Sequence, residues 1–232
     1  MTMDILERKQ IQKYLEDKRL PLDIYLEIED HIISQIEELE HEGTGFQEAF
    51  LQVKTKWKKE LSFQNFSFSD VSAVPKIVAK IRSAYIREIT PKILTISSLI
   101  LLVLVLGVYV LDMENFKTFY TIIYAGLIIL PIIIFALSFK VLVQRRNHNK
   151  RPLNAYHKMV ELAVGMFMFP MVNVANTSKS SEMFYNVFYI SETSLLSKIL
   201  TLSMPLYFSS VCLFSAFVFI KYKREVAKMK LT

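Results

Sequence analysis

The sequence has few of the residues that build disulfide frameworks, metal sites and catalytic loops. Of its 232 residues only one, Cys212, is a cysteine, four are histidines and five are glycines. A single cysteine excludes a disulfide framework within the chain. The sequence also lacks a P-loop, a glycine-rich dinucleotide turn and a Gly-x-Ser-x-Gly motif. We therefore expect neither catalysis nor a bound cofactor.

Potential metal ligands come closest together on one predicted helix. Glu27 and His31 are four residues apart, a spacing that puts two ligands on one helix face, and Asp30 lies beside them. No second cluster of histidine or cysteine completes a ligand set, and lysines and arginines surround His148 and His157. The sequence therefore predicts a solvated helix face here and no metal site.

Long apolar runs are what the sequence has in abundance. Residues 93–111 include no charged side chain, and Lys140 is the only charged residue among residues 118–143. A helix needs about 20 apolar residues to cross the hydrocarbon core of a bilayer, which is about 30 Å thick. Neither run has a polar stripe that could face water. The two runs therefore predict a pair of transmembrane helices joined by the short turn 112–117.

Two further spans follow in the second half of the chain. Residues 199–220 form an uncharged run that is long enough to cross a bilayer. Residues 155–175 are less apolar, since they include Glu161 and Pro170, and taken alone they could form a re-entrant segment. The charges of the flanking loops favour a full span. Glu161 is the only acidic residue within the predicted spans, and a charge inside a membrane is a candidate functional residue. Pairing with Lys158 would also explain its presence.

The distribution of charge predicts the orientation. Cytoplasmic loops of membrane proteins are rich in Lys and Arg. The segment after the second run is strongly basic, and so is the tail after residue 220, whereas the turn 112–117 is net acidic. We expect both termini to be cytoplasmic and ascribe the net charge of +6 to orientation, not to nucleic-acid binding. The orienting residues are Arg145, Arg146, Lys150 and Arg151.

Three amphipathic stretches precede the spans and predict a small helical head at residues 1–62. The strongest begins after Pro21 and carries apolar residues three or four apart, with acidic residues over most of the remaining surface. Thr44 and Gln47 have the spacing of a capping box before the third helix. Residues 1–19 lack the apolar core of a signal peptide, so we expect the first span to direct membrane insertion.

A basic amphipathic helix is predicted between the head and the first span, at residues 72–89. Such a helix can lie on an anionic membrane surface, or it can extend the first span or pack on the head. The predicted fold is therefore all-α, with a cytoplasmic three-helix head (1–62), a linker and juxtamembrane helix (63–90) and a four-helix transmembrane bundle (91–232).

The head resembles a known family of bacterial helical domains. The shared features are Leu20-Pro21, an acidic helix with Glu27 and Asp30-His31-Ile32, and the turn Gly43-Thr44-Gly45-Phe46-Gln47-Glu48-Ala49-Phe50. This pattern is similar to the HAAS-type signalling domain and the related permease prefix domain. The resemblance implies a cytoplasmic module of a bacterial inner-membrane protein, associated with transcriptional regulators of the PadR type or with export permeases, and it implies no catalysis.

Two functions are compatible with these patterns. The first is a non-enzymatic signalling or adaptor protein whose head binds a cytoplasmic or membrane protein. Its expected contact residues are Glu27, Asp30, His31 and Glu38. The second is an accessory or permease subunit of a transport system, in which Glu161 and the kinked spans would form part of a path. Both predict the lipid bilayer as surroundings, and both leave homo-oligomerisation open. An intramembrane enzyme would need a facing polar pair that the sequence does not show.

Overall fold

The computed structural model of the chain describes residues 3–64, 73–144, 152–190 and 194–229, and the side chains of all these except 138–144. The fold is all-α, as the sequence predicted. The helices are α1 (Ile5–Glu16), α2 (Leu22–His41), α3 (Phe46–Trp57), α4 (Lys76–Val110), α5 (Met113–Gln144), α6 (His157–Val172), α7 (Thr177–Tyr189) and α8 (Leu195–Lys228). A short 3₁₀ turn, Asn173–Asn176, joins α6 to α7.

The chain divides into two compact units. The head unit comprises Met1–Tyr85, Val141–Lys158 and Arg224–Thr232. The span unit comprises Ile86–Lys140 and Met159–Lys223. The head unit therefore contains the three predicted head helices together with the first ten residues of α4 and the last five of α8.

The core of the head unit is formed by the apolar stripes of α1, α2 and α3. Ile11, Ile28, Ile32 and Ile36 are at most 2% exposed. The helix starts differ from the prediction: α3 begins after Gly45 with no side-chain cap, so Thr44 does not form the expected capping box. The capping box lies at α1 instead, where the N-cap residue is an aspartate and Glu7 reaches back to its amide.

The juxtamembrane helix and the first span form a single helix. α4 runs without interruption for 35 residues, from Lys76 through Pro91 to Val110, so the alternative in which the basic helix extends the span describes it correctly. Its start is held by a two-residue antiparallel pairing, in which Phe63 faces Pro75 and Gln64 faces Val74 (strands β1, Phe63–Gln64, and β2, Val74–Pro75). Residues 65–72 of the predicted linker lie outside the described residues.

The core of the span unit is rich in aromatic side chains. Phe116 and Tyr120 on α5 are at most 1% exposed, and Phe116 stacks on Phe184 of α7 with ring centroids 5.9 Å apart. Gly107 on α4 allows α5 to approach closely, because a Cβ atom there would lie 3.0 Å from Cε1 of Phe119. Small residues serve this purpose where helices pack inside a membrane.

Hydroxyl groups also join the helices of the span unit. Ser210 on α8 donates to Ser97 on α4 over 3.0 Å, and Ser215 on α8 donates to the carbonyl of Ala163 on α6 over 3.2 Å. Such hydrogen bonds between helices are common in membranes, where few other polar groups are present. Cys212 is buried in the aromatic cluster of the same unit.

The third apolar stretch continues past residue 175, where the sequence predicted the end of the span, and it consists of two helices. α6 ends at Val172, and after the 3₁₀ turn α7 occupies Thr177–Tyr189. The hydroxyl of Tyr185 donates to the carbonyl of Leu111 over 3.3 Å, and that of Tyr189 donates to the carbonyl of Val108 over 3.0 Å. Val108 lies in the last turn of α4 and Leu111 directly follows that helix, so these hydrogen bonds join α7 to the end of α4.

Four helical stretches are long and apolar enough to cross a membrane. They are Lys76–Val110, Met113–Leu137, His157–Tyr189 and Leu195–Lys228, with the third the least apolar. Their number agrees with the four spans predicted from the sequence. The chain is therefore a multi-pass membrane protein.

The contact at Gly107 gives a test of the span packing. We expect Gly107→Ala to lower the free energy of unfolding by about 1–2 kcal/mol, since the added methyl group must displace the Phe119 ring. Gly126→Ala is the matched control, because no atom lies within 4 Å of its added Cβ. Thermal unfolding of both variants in detergent measures the difference. Equal stability of the two would show that α4 and α5 do not pack as described.

Candidate functional site

The predicted contact residues lie on the exposed side of α2. Glu27, Asp30, His31 and Glu38 are all exposed. Spacings of four and seven residues place Glu27, His31 and Glu38 on one face of the helix, and Asp30 lies at its edge. We call these four residues the acidic stripe. The structure thus places the whole predicted set on one surface of the head unit.

His31 is held at the junction of two helices. Its ring stacks on Trp57 of α3, with centroids 6.5 Å apart and an interplanar angle of 28°. Among the described residues no group of three or more His, Cys, Asp or Glu side chains could hold a metal ion. The His31 ring is therefore assigned to the surface between α2 and α3, where it adds an aromatic element to the acidic stripe.

Glu29 was not singled out in the sequence, although it is a buried carboxylate with two side-chain partners. It is 4% exposed and accepts hydrogen bonds from Nε of Arg8 at 3.1 Å and from Nε2 of Gln12 at 2.9 Å. It therefore joins α2 to α1 as a buried, paired carboxylate. The clue in the sequence is its register, since Tyr25 and Ile32 place it on the apolar face of the helix.

The first turn of α2 binds the segment that leads into α6. The amide of Leu22 donates to the carbonyl of Pro152 over 2.9 Å, and the amide of Asp23 donates to the carbonyl of Leu153 over 3.1 Å. In return, the amide of Ala155 donates to Oδ2 of Asp23 over 3.1 Å. Amide groups in the first turn of a helix have no partner within the helix, so residues 152–155 act as its cap. We call this arrangement the clamp.

Arg82 of α4 completes the clamp from the other side. Its Nε donates to the carbonyl of Ala155 over 2.6 Å, and the side chain is only 2% exposed. The ring of Tyr85, one turn further along α4, packs edge to face on Tyr156 at 5.3 Å. Residues 152–156 are thus held by α2 and by α4 within one unit.

The electrostatics of the clamp centre on Asp23. Burial of the carboxylate raises its pKa from 3.8 to about 6, and the nearby charge of Glu27 acts in the same direction. The amide of Ala155 lowers the pKa, because it donates to the charged form, but its effect is smaller than that of burial. Asp23 can therefore change its protonation state near neutral pH while it holds residues 152–155.

Beside the clamp lies a cavity of about 370 Å³. Asp23 and Glu27 of α2 line it, together with Ile81, Tyr156, Glu225 and Lys228. Lys228 forms an ion pair with Glu225 at 3.0 Å. One residue of the acidic stripe, Glu27, therefore reaches the clamp, whereas the other three lie further from it on the surface.

The other predicted residues lie apart from this region. Glu161 is exposed on α6. It does not line the cavity beside the clamp, nor does it line a cavity of about 170 Å³ between aromatic side chains of the span unit. Its pairing with Lys158 stays a prediction. The orienting residues Arg145, Arg146, Lys150 and Arg151 lie outside the described residues.

Comparison with known proteins found no matching protein-family model, no similar curated protein and no similar solved structure. The resemblance of the head to HAAS-type and permease prefix domains therefore stays a prediction. The candidate site is defined by the geometry of this chain, namely the acidic stripe of α2 and the clamp at its first turn, with Glu27 lining the cavity beside the clamp.

The pKa of Asp23 predicts how the stability of the head depends on pH. The folded-state pKa, about 6, lies above the ordinary value of 3.8, so the stabilisation is fully present below pH 3.8 and is lost as the pH rises through 6. A difference of this size between the folded and unfolded pKa values corresponds to about 3 kcal/mol. We expect the free energy of unfolding of the wild type to fall by up to about this amount, relative to Asp23→Asn, between pH 4 and pH 7.

Trp57, the only tryptophan, reports on unfolding of the head in the full chain. Denaturant unfolding followed by its fluorescence measures the difference at each pH. Asp30→Asn is the matched control, since Asp30 is exposed on the same helix. Parallel pH profiles for the wild type and Asp23→Asn would contradict the assignment of Asp23.

Proposed function

We propose that this multi-pass membrane protein is a non-enzymatic signalling or adaptor protein of the bacterial inner membrane. In this proposal the head unit faces the cytoplasm and binds a protein through the acidic stripe. The observation that supports the proposal is that α2 has one buried carboxylate with a structural role and several exposed carboxylates without one. The Glu29 carboxylate is buried and paired, whereas the side-chain carboxylates of Asp30 and Glu38 are exposed and have no hydrogen-bond or ion-pair partner within the part of the chain that the structure describes.

The composition of the stripe indicates the kind of partner. Its three carboxylates favour a basic surface, and the stacked pair His31 and Trp57 offers flat apolar area for contact. Aromatic side chains are enriched at protein interfaces, and complementary charges accelerate and orient association. The resemblance of the head to HAAS-type domains supports a regulatory partner. In the transport alternative the residue of interest is Glu161, which is exposed on α6.

A crosslinking pull-down from native membranes tests the proposal, with a tag after Thr232. We expect Glu27→Gln/Glu38→Gln to lower recovery of the partner about tenfold, because two charges facing a basic surface are removed. Glu42→Gln/Glu48→Gln is the matched control, since it removes two exposed carboxylates outside the stripe. Equal recovery with both double variants would contradict the proposed surface.

The identity of the recovered protein separates the two functions. A DNA-binding regulator would support signalling, and a transport ATPase or permease would support the alternative. Glu29→Ala provides a reference for misfolding, because loss of the buried carboxylate leaves the donors on α1 without their acceptor. A stripe variant that unfolds as early as Glu29→Ala would not count as a binding defect.

The proposed orientation has its own test. In a Cys212→Ser background, we expect Glu114→Cys to react with a membrane-impermeant maleimide in intact cells, because Glu114 is exposed in the first turn of α5, at the end of the helix proposed to be external. Glu48→Cys, which is exposed on the head, should react only after the membrane is opened. Gel-shift labelling measures both. Labelling of Glu48→Cys in intact cells would contradict the proposed orientation and place the head outside the cell.

A further inference from the structure

A second cavity of the head unit is basic. Its volume is about 470 Å³, and among the described residues three cations, Arg19, Arg82 and Lys158, line it with one acidic residue, Asp17. Its charge is therefore opposite in sign to that of the acidic stripe on the same unit. Three positive groups against one negative group favour an anionic ligand.

The cations come from three separate elements, and a backbone carbonyl orients one of them, Arg82. Arg82 is 2% exposed on α4, and its Nε is fixed on the carbonyl of Ala155. Arg19 follows the last turn of α1 and has a φ of 50°, in the left-handed region. Lys158 is the second residue of α6. A buried, oriented guanidinium interacts more strongly with an anion than a solvated one, and its geometry suits the oxygens of a phosphate.

The remaining wall of the cavity is apolar. Phe63 and Val74 of the short strand pair line it, and Phe63 is 40% exposed although it is a large aromatic residue. Lys158 directly precedes the apolar part of the third span, where a lysine lies at the level of lipid headgroups. A ligand with a phosphate and an adjoining apolar portion matches both parts of the lining. Basic pockets at the ends of membrane helices bind such headgroups.

We propose that this cavity binds the phosphate headgroup of an anionic phospholipid. The carbonyl that orients Arg82 belongs to the clamp, so an occupied cavity stabilises residues 152–156 against α4. The lipid would then raise the free energy of unfolding of the head unit, by an amount that grows with the logarithm of its concentration above Kd. This site is separate from the acidic stripe, and its failure would leave the proposed protein contact unaffected.

Native mass spectrometry of the full chain in a neutral detergent tests the site. The probes are dioctanoyl phosphatidylglycerol, dioctanoyl phosphatidylcholine and inorganic phosphate. We expect phosphatidylglycerol to bind at least tenfold more tightly than phosphatidylcholine. Arg19→Asn/Lys158→Gln should weaken its binding about 25-fold, about fivefold for each cation. Asparagine is chosen at position 19 because it tolerates the left-handed conformation.

Two further variants separate the site from general surface charge and from misfolding. Lys80→Gln removes an exposed cation of α4 outside the cavity and should change the affinity less than twofold. Asp17→Asn removes the acidic lining residue and should strengthen binding severalfold, a gain that misfolding cannot produce. Equal binding of the two lipids, or an equal loss with Lys80→Gln, would overturn the proposal. If inorganic phosphate displaces phosphatidylglycerol at an equal concentration, the cavity binds a free anion, and the proposal of a lipid site is overturned.

Discussion

The first turn of α2 is the point on which the head unit depends. A helix that begins inside a protein leaves amide groups without acceptors, and a buried amide without a partner is costly. Here the carbonyls of Pro152 and Leu153 accept them, and Asp23 accepts a hydrogen bond from the amide of Ala155 in return. Residues more than 120 positions apart in the chain are therefore joined through backbone groups, which few substitutions can alter.

This constraint divides the surface of the head unit by charge. With its apolar face buried and its first turn clamped, α2 has one side left for solvent, and that side carries the acidic stripe. The cations gather instead around Arg82, which must remain beside the carbonyl of Ala155. One unit thus presents an acidic surface suited to a basic protein and a basic cavity suited to a phosphate. The shared clamp provides a physical connection between the two.

The predictions that failed concern local endings, where several weak preferences compete. Thr44 had the spacing of a capping box, yet α3 starts after Gly45, and the capping box formed at α1. The third span was predicted to end at residue 175, but α7 continues the stretch to Tyr189. Helix α7 is stabilised by contacts with distant groups, the carbonyls of Val108 and Leu111 and the ring of Phe116. Capping energies are about 1 kcal/mol, which such contacts readily exceed.

The sequence by itself determined the fold class, the four membrane-crossing helices and the exposed position of the acidic stripe. These follow from periodicity and from the length of apolar runs, which act within one helix and do not depend on its neighbours. Only the tertiary structure decided that Glu29 is paired, that Asp23 holds residues 152–155 and that Arg19, Arg82 and Lys158 line one cavity. Each of these depends on distances between groups far apart in the chain, and such distances are set by packing, not by local residue preference.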